Sequence, residues 1–483
     1  MSGIRKKFLF QLLYAFSQLA FPLITYPYIT RTLGAEGLGL VGYIEYFSGF
    51  IITIASFGIP FYGVREIAKV QDNKEKKLAI LQRLFSFHLL VSFIGCALFV
   101  LLLKTNQQQS ISPSLVLLGC LNIILPAFIA EWYMQGIEAF AFTTIRSIIL
   151  RLIGLVALFL FVNSQEEYIT YYLIIVLVQA AVAFSNMHKI GWKGFLPKFS
   201  IENLPVKSLW HFFLSSSIIS IYVFFDVLIL GWIAEEKNVG YYTVAIRIVK
   251  LSLLMVLSLN VILFPRISHL RSNSNNDVKV KGLIEKSMQF ILVLTIPIFA
   301  GFYFLAPQIV SILAGDGFAP SVFLVQILSV LPVIIGFSNL FVYQIITPFG
   351  KEKQLLVCVF ITCVVSLFLH VVFAHLWSER GTAVATICTE LLMTVLTAMV
   401  AFRTLRIHFP VATMFQAIAA VAPFILIVLF FQNHIHNPWL LTFGCGFIGI
   451  AIYAAIQLFV FRNELVTEVV TELKRFNRRL VNE

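Results

Sequence analysis

Apolar runs of roughly 20 residues, separated by short clusters of charged and polar residues, recur from one end of the chain to the other. As a helix rising ~1.5 Å per residue, each run is long enough to cross ~30 Å of hydrocarbon. Cutting at the polar clusters predicts fourteen spans: 8–30, 38–62, 84–103, 114–136, 143–162, 168–187, 209–233, 240–264, 288–313, 318–347, 354–376, 381–402, 413–431 and 438–460. The opening Arg5-Lys6-Lys7 could begin a secretory signal. The apolar run continues to Thr30, however, so an uncleaved first span is expected. The fold class predicted is all-α integral membrane.

Composition agrees with that reading. Of 483 residues 59% are hydrophobic and 12% charged, where a soluble domain carries about 25% charged residues. The six cysteines (Cys96, Cys120, Cys358, Cys363, Cys388, Cys445) lie inside apolar stretches without metal-ligand spacing. They imply neither a disulfide nor a metal site.

Lysine and arginine give an independent test, because cytoplasmic loops hold an excess of them. With the N-terminus inside, 27 of the 35 basic residues fall in inside segments and four (Arg31, Lys104, Lys237, Arg380) outside. Both termini are then cytoplasmic. The net charge of +12 reports topology and asks for no nucleic-acid partner. After Phe461, Leu465, Val469, Leu473, Phe476 and Leu480 recur at helical spacing beside Lys474, Arg475, Arg478 and Arg479. That pattern suits a helix on the anionic inner leaflet or a solvated tail.

The chain also repeats. Leu33-Gly34-Ala35-Glu36-Gly37-Leu38-Gly39 joins spans one and two, and Leu230-Gly231 through Val239-Gly240 joins spans seven and eight. Gly39 and Gly240 are 201 positions apart, as are Arg65 and Arg266. Two parallel six-span repeats are expected, an N-lobe over 1–188 and a C-lobe over 209–402, joined by a linker at 189–208. They enclose a central cavity. Spans thirteen and fourteen (403–461) and the basic tail (462–483) lie outside the repeat.

Pro27-Tyr28-Ile29-Thr30-Arg31-Thr32-Leu33-Gly34-Ala35-Glu36-Gly37-Leu38-Gly39 resembles the polysaccharide repeat-unit flippases, the Wzx-type O-antigen exporters of the MATE/oligosaccharidyl-lipid flippase superfamily. More of the pattern follows at Arg65-Glu66-Ile67-Ala68, Trp132 to Glu138 with Arg146, Asp226 to Gly231, and Ser338-Asn339 to Lys353. The resemblance implies a cargo of oligosaccharide on undecaprenyl diphosphate, turned from the cytoplasmic to the periplasmic leaflet of a bacterial inner membrane during lipopolysaccharide synthesis. It further implies a monomer working beside glycan polymerase and chain-length proteins. Antiport driven by H⁺ or Na⁺ is expected, with no bound cofactor; the chain has no Walker-type loop. A lipid-linked peptidoglycan precursor flippase and a MATE-like drug or cation exporter are the alternatives. An enzyme on the same lipid carrier would need catalytic groups in a sizeable outside loop. The longest here, between Lys104 and Pro113, carries Gln107-Gln108-Gln109 and no acid or histidine.

Ionisable groups inside a span cost roughly 2.5–3.5 kcal/mol each at the centre, so each asks for a reason. Arg247 and Lys250 share a helix face ~10 and ~15 Å below the outer surface, and Arg151 enters ~12 Å from the inner side. With Arg31 near the outer end and Arg65, Arg146 and Arg266 near the inner, cations are spaced through most of the bilayer. One reading is a hydrated path holding the diphosphate, since Arg pairs bidentately with phosphate oxygens; the other is snorkelling or helix capping. Among the acids Asp226, Glu390, Glu45 and Glu131, Asp226 lies at nearly the depth of Arg247. An internal ion pair there, or uptake of H⁺ or Na⁺, are both open. Pro22, Pro27, Gly58, Pro60, Pro126, Pro297 and Pro332 are expected to bend helices. His88 and His370 are expected as hydrogen-bonded packing residues.

Overall fold

The computed structural model describes residues 2–70, 72–105, 111–198, 209–210, 213, 224–272, 277–435, 437–462 and 467. Every regular element among them is helical. Hydrocarbon offers no partner to backbone N–H and C=O groups, so apolar segments of this length satisfy them internally. The helices are α1 (Ser2–Ser56), α2 (Ile59–Lys69), α3 (Lys74–Thr105), α4 (Pro113–Ile129), α5 (Glu131–Gly136), α6 (Phe140–Phe161), α7 (Tyr168–Ile190) and α8 (Phe224–Ile233). They continue with α9 (Glu236–Ser272), α10 (Asp277–Phe304), α11 (Ala306–Leu313), α12 (Ala319–Leu328), α13 (Leu331–Leu340), α14 (Glu352–Thr404), α15 (Val411–Phe431) and α16 (Pro438–Ala455).

Nine helical stretches among the described residues are long and apolar enough to cross a membrane. A tenth is a pair bent by 43°, Asp316–Leu328 and Leu331–Ile346. The protein is therefore a multi-span membrane protein. Phe447 and Phe459, each 79% exposed, fit a surface whose solvent is lipid.

Two of the stretches are too long for one crossing. The 55 residues of α1 would extend ~80 Å if straight, and Gly34 divides them at φ 67°, ψ −175°. Only glycine takes that backbone without a Cβ penalty. The expected loop between spans one and two thus shrinks to a turn at one residue. The 53 residues of α14 divide likewise at Trp377 and Ser378.

Elsewhere, spans expected to be continuous are interrupted. Ala130, left-handed at φ 42°, ψ 44°, separates α4 from α5. Leu305 separates α10 from α11, and Phe341–Ile346 form a π-helical turn after α13. Pro22, Pro27, Pro126 and Pro297 lie inside helices. Gly58, with Pro60 in the first turn of α2, and Pro332, in the first turn of α13, instead mark breaks. His88 and His370 are buried, and Nε2 of His88 has no hydrogen-bond partner among the described residues.

The chain divides into two compact units, Met1–Thr243 with His370–Thr382, and Val244–Leu369 with Ala383–Glu483. These divisions fall inside α9 and α14. Residues 199–208 of the 189–208 segment, and 463–466 and 468–483 of the tail, lie outside the described residues.

In the first unit a core of Ile59, Ile67, Leu84, Phe85, Trp132 and Phe195 is closed, with the Phe85 ring edge-on to Phe128 and Phe195 at 5.1 and 5.3 Å. A second feature of this unit is a backbone contact between the turn after Gly34 and the start of α9. A Cβ on Gly39 would lie 1.8 Å from the Glu236 carbonyl oxygen, and one on Gly240 2.0 Å from that of Ala35. Ala35 and Glu236 are themselves 201 positions apart. The contact is reciprocal, as in an isologous two-fold interface.

In the second unit α9, α10, α13, α15 and α16 share one core, which includes Val256, Met288, Phe341, Phe424 and Leu441. The Tyr453 hydroxyl donates to the Val293 carbonyl at 2.8 Å, tying α16 to α10. The helices α15 and α16, over the expected last two spans, are packed into this core.

Candidate substrate path and coupling residues

The most complete polar site begins with the break at Ala130. Left-handed backbone there stops the helical ladder, so the Ile129 carbonyl lies at a helix end and needs a donor from outside. Asn186 of α7, fully buried, supplies its Nδ2 at 2.6 Å. The next residue, Glu131, opens α5. Its carboxylate meets the Arg146 guanidinium of α6 at 3.2 Å, with the Arg146 side chain 6% exposed and that of Glu131 30%. Arg146 also donates to Asn186 Oδ1 and, at 3.2 Å, to Ser147 Oγ. The guanidinium carbon lies 5.8 Å from the centre of the Phe142 ring. An expected path residue and an expected coupling residue are thus partners of each other.

Asp226 on α8 is buried at 5% exposure. Its carboxylate accepts from the Tyr242 hydroxyl of α9 at 2.9 Å and from the Val227 amide at 2.8 Å. The two donors satisfy a carboxylate that sits away from water.

The remaining cations have different settings. Arg31, exposed, donates to the Pro27 carbonyl one turn back in its own helix at 2.7 Å. Arg65 is 47% exposed, paired with Glu66 at 2.9 Å and lying over the Tyr62 ring. Burial works to raise the Glu66 carboxyl, but hydrogen bonds from Lys69 and Arg65 outweigh it and hold the group below its ordinary range. Arg151 on α6 is half-buried, donates to Ser17 Oγ at 2.9 Å and lies over the Tyr14 ring. Arg247 and Lys250, both half-buried, share α9 with Arg266. Glu45 on α1 and Glu390 on α14 are half-buried.

Sequence reasoning missed Asn186, Ser147 and Tyr242, the neutral partners of these charges. It also missed a buried cluster in which Asn122 Nδ2 donates to Ser48 Oγ at 2.8 Å and the Tyr172 hydroxyl lies 3.4 Å from Ser48. Amides inside apolar runs were the available signal, because an amide in hydrocarbon asks for a partner much as a charge does.

The family described as polysaccharide biosynthesis protein matches residues 4–271. The chain belongs to this family. It is 28% identical over 394 residues to the Escherichia coli protein named "Putative O-antigen transporter", covering 79% of this chain and 93% of that one. It is 25% identical over 386 residues to a Haloferax volcanii protein named "Probable low-salt glycan biosynthesis flippase Agl15", covering 77% and 78%. Among solved structures it shares its fold with "Lipid II flippase MurJ, inward closed conformation", at a TM-score of 0.61 and 14% identity over 89% of this chain and 98% of that one. These relatives are named as transporters and flippases.

Proposed function

We propose that this family member is a flippase for a lipid-linked oligosaccharide, an undecaprenyl-diphosphate-bound repeat unit that it turns from the cytoplasmic to the periplasmic leaflet of a bacterial inner membrane. The reading rests on one combination. A multi-span apolar chain of the polysaccharide biosynthesis family carries Arg247 and Lys250 half-buried on one face of α9, in an expected span. A diphosphate cannot enter hydrocarbon unaided, and paired cationic side chains offset its desolvation. Fourteen crossings, cytoplasmic termini, two parallel six-span lobes and a cationic path through Arg31, Arg65, Arg146, Arg151, Arg247, Lys250 and Arg266 belong to this proposal.

Deletion of the gene is the direct test. Lipid-linked repeat units should accumulate on the cytoplasmic side while surface glycan disappears. Unchanged surface glycan ends the reading, and loss of peptidoglycan precursor export instead assigns the cargo of the MurJ-like alternative. Arg247→Ala is expected to lower export by at least tenfold at normal protein abundance, measured as surface glycan per molecule of transporter. Normal export in that variant removes Arg247 from the path.

Coupling to an ion gradient is assigned to Asp226, with Glu390, Glu45 and Glu131 as the other candidates. Asp226→Asn keeps the shape and the Tyr242 contact but cannot take up a proton. Export by the wild type should fall when the gradient is collapsed, and the variant's residual export should not respond. A wild type indifferent to the gradient rules coupling out.

A further inference from the structure

A cavity of about 850 Å³ opens in the second unit between the two ends of α14. Lys353, Val357 and Ile361 follow one another at four-residue steps, so they share one helix face that passes from a cation to apolar side chains over ~12 Å. Arg403 and Met399 do the same from the other end of the helix. Lys351 completes the mouth, and all six line the cavity. Among the described residues none of the three cations lies within ion-pair distance of a carboxylate, and neighbouring Glu352 is not part of the lining. Lys353, Arg403, Val357, Ile361 and Met399 are exposed, so the site is open at its side. All three cations belong to segments whose basic excess assigns them to the cytoplasmic face.

We infer that this cavity binds an anionic phospholipid of the inner leaflet, its phosphate on Lys351, Lys353 and Arg403 and an acyl chain along Val357, Ile361 and Met399. Three cations at one mouth demand a counter-charge. The stripes behind them demand a hydrocarbon chain, and only an amphiphile supplies both. A bilayer phospholipid fits better than a glycan carrier, since the walls are apolar beyond the mouth and open laterally to the lipid that is most abundant there. The site is separate from the residues assigned above to the cargo.

The test uses the full chain, purified in detergent and stripped of lipid. Binding is read by native mass spectrometry and by the thermal midpoint as dioleoyl-phosphatidylglycerol, dioleoyl-phosphatidylcholine or inorganic phosphate is added. Phosphatidylglycerol should bind as a retained adduct and raise the midpoint, while the zwitterionic lipid and free phosphate do neither. Lys351→Gln, Lys353→Gln and Arg403→Gln together should weaken binding by about 100-fold, roughly fivefold per charge. Lys74→Gln, Lys76→Gln and Lys77→Gln, which remove the same charge from the start of α3, should leave it unchanged. Met399→Trp should weaken it with every charge kept. The inference is overturned if phosphatidylcholine or phosphate serves as well, if both triple variants weaken binding equally, or if the Lys351/Lys353/Arg403 variant binds normally.

Discussion

Gly240→Val and Gly39→Val are each expected to leave little folded protein. A Cβ at either position would sit 2.0 Å or less from a carbonyl oxygen of the facing segment. No side chain can rotate away, because both partners are main chain, so one helix end must move. Overpacking where side chains can adjust costs about 1–3 kcal/mol; here even Gly→Ala should exceed the upper end of that range. The measurement is the thermal midpoint and the monodisperse yield from detergent. Gly444→Ala, where nothing lies within 4 Å of the added carbon, should be neutral and serves as the control. The double Gly39→Ala/Gly240→Ala variant should cost less than the sum of the singles, since one displacement relieves both clashes. Wild-type stability in either alanine variant would mean the segments do not touch.

The second large effect is at Arg146. Arg146→Met should destabilise the protein by about 3–5 kcal/mol, because it strands the Glu131 carboxylate beside a buried amide. Glu131→Met alone should cost a similar amount by stranding the guanidinium. The double Met variant should recover most of the loss, since an apolar pair of similar volume needs no counter-charge. The same cycle separates two roles. If the pair only holds α5 against α6, the stable double variant exports normally. If Arg146 also meets the diphosphate during transport, the double variant is stable and inactive. A cycle with additive losses shows that the two side chains do not interact.

Much of this was legible in the residues. That the chain is helical and crosses a membrane many times followed from apolar length, because the solvent leaves a spanning backbone few alternatives to a helix. The repeat offset of 201 pointed to segments that prove to touch through Gly39 and Gly240. The interruptions were harder. Ala130 gives no local signal, since nothing about alanine favours a left-handed backbone; the turn is sustained by Asn186 from another helix, 57 positions away from the carbonyl it caps. Gly34, by contrast, advertised its turn. At the charged sites, depth along a span said that Arg146 and Glu131 each needed a partner, but not that they were each other's. Depth alone suggested Arg247 for Asp226, but not the Tyr242 hydroxyl that donates to its carboxylate, a neutral group that charge counting passes over.

The Arg146 and Glu131 pair also bears on how the chain enters the bilayer. The two residues are 15 positions apart, and the Asn186 amide follows Arg146 by 40. During synthesis the carboxylate leaves the ribosome first and the guanidinium shortly after, so the hairpin of α4 to α6 can pass the insertion machinery already neutralised. The amide arrives a full helix later and locks what has formed. A ribosome paused once α6 has left its exit tunnel, with Asn186 still inside, should therefore yield a hairpin that is membrane-inserted yet still open to protease at Ala130.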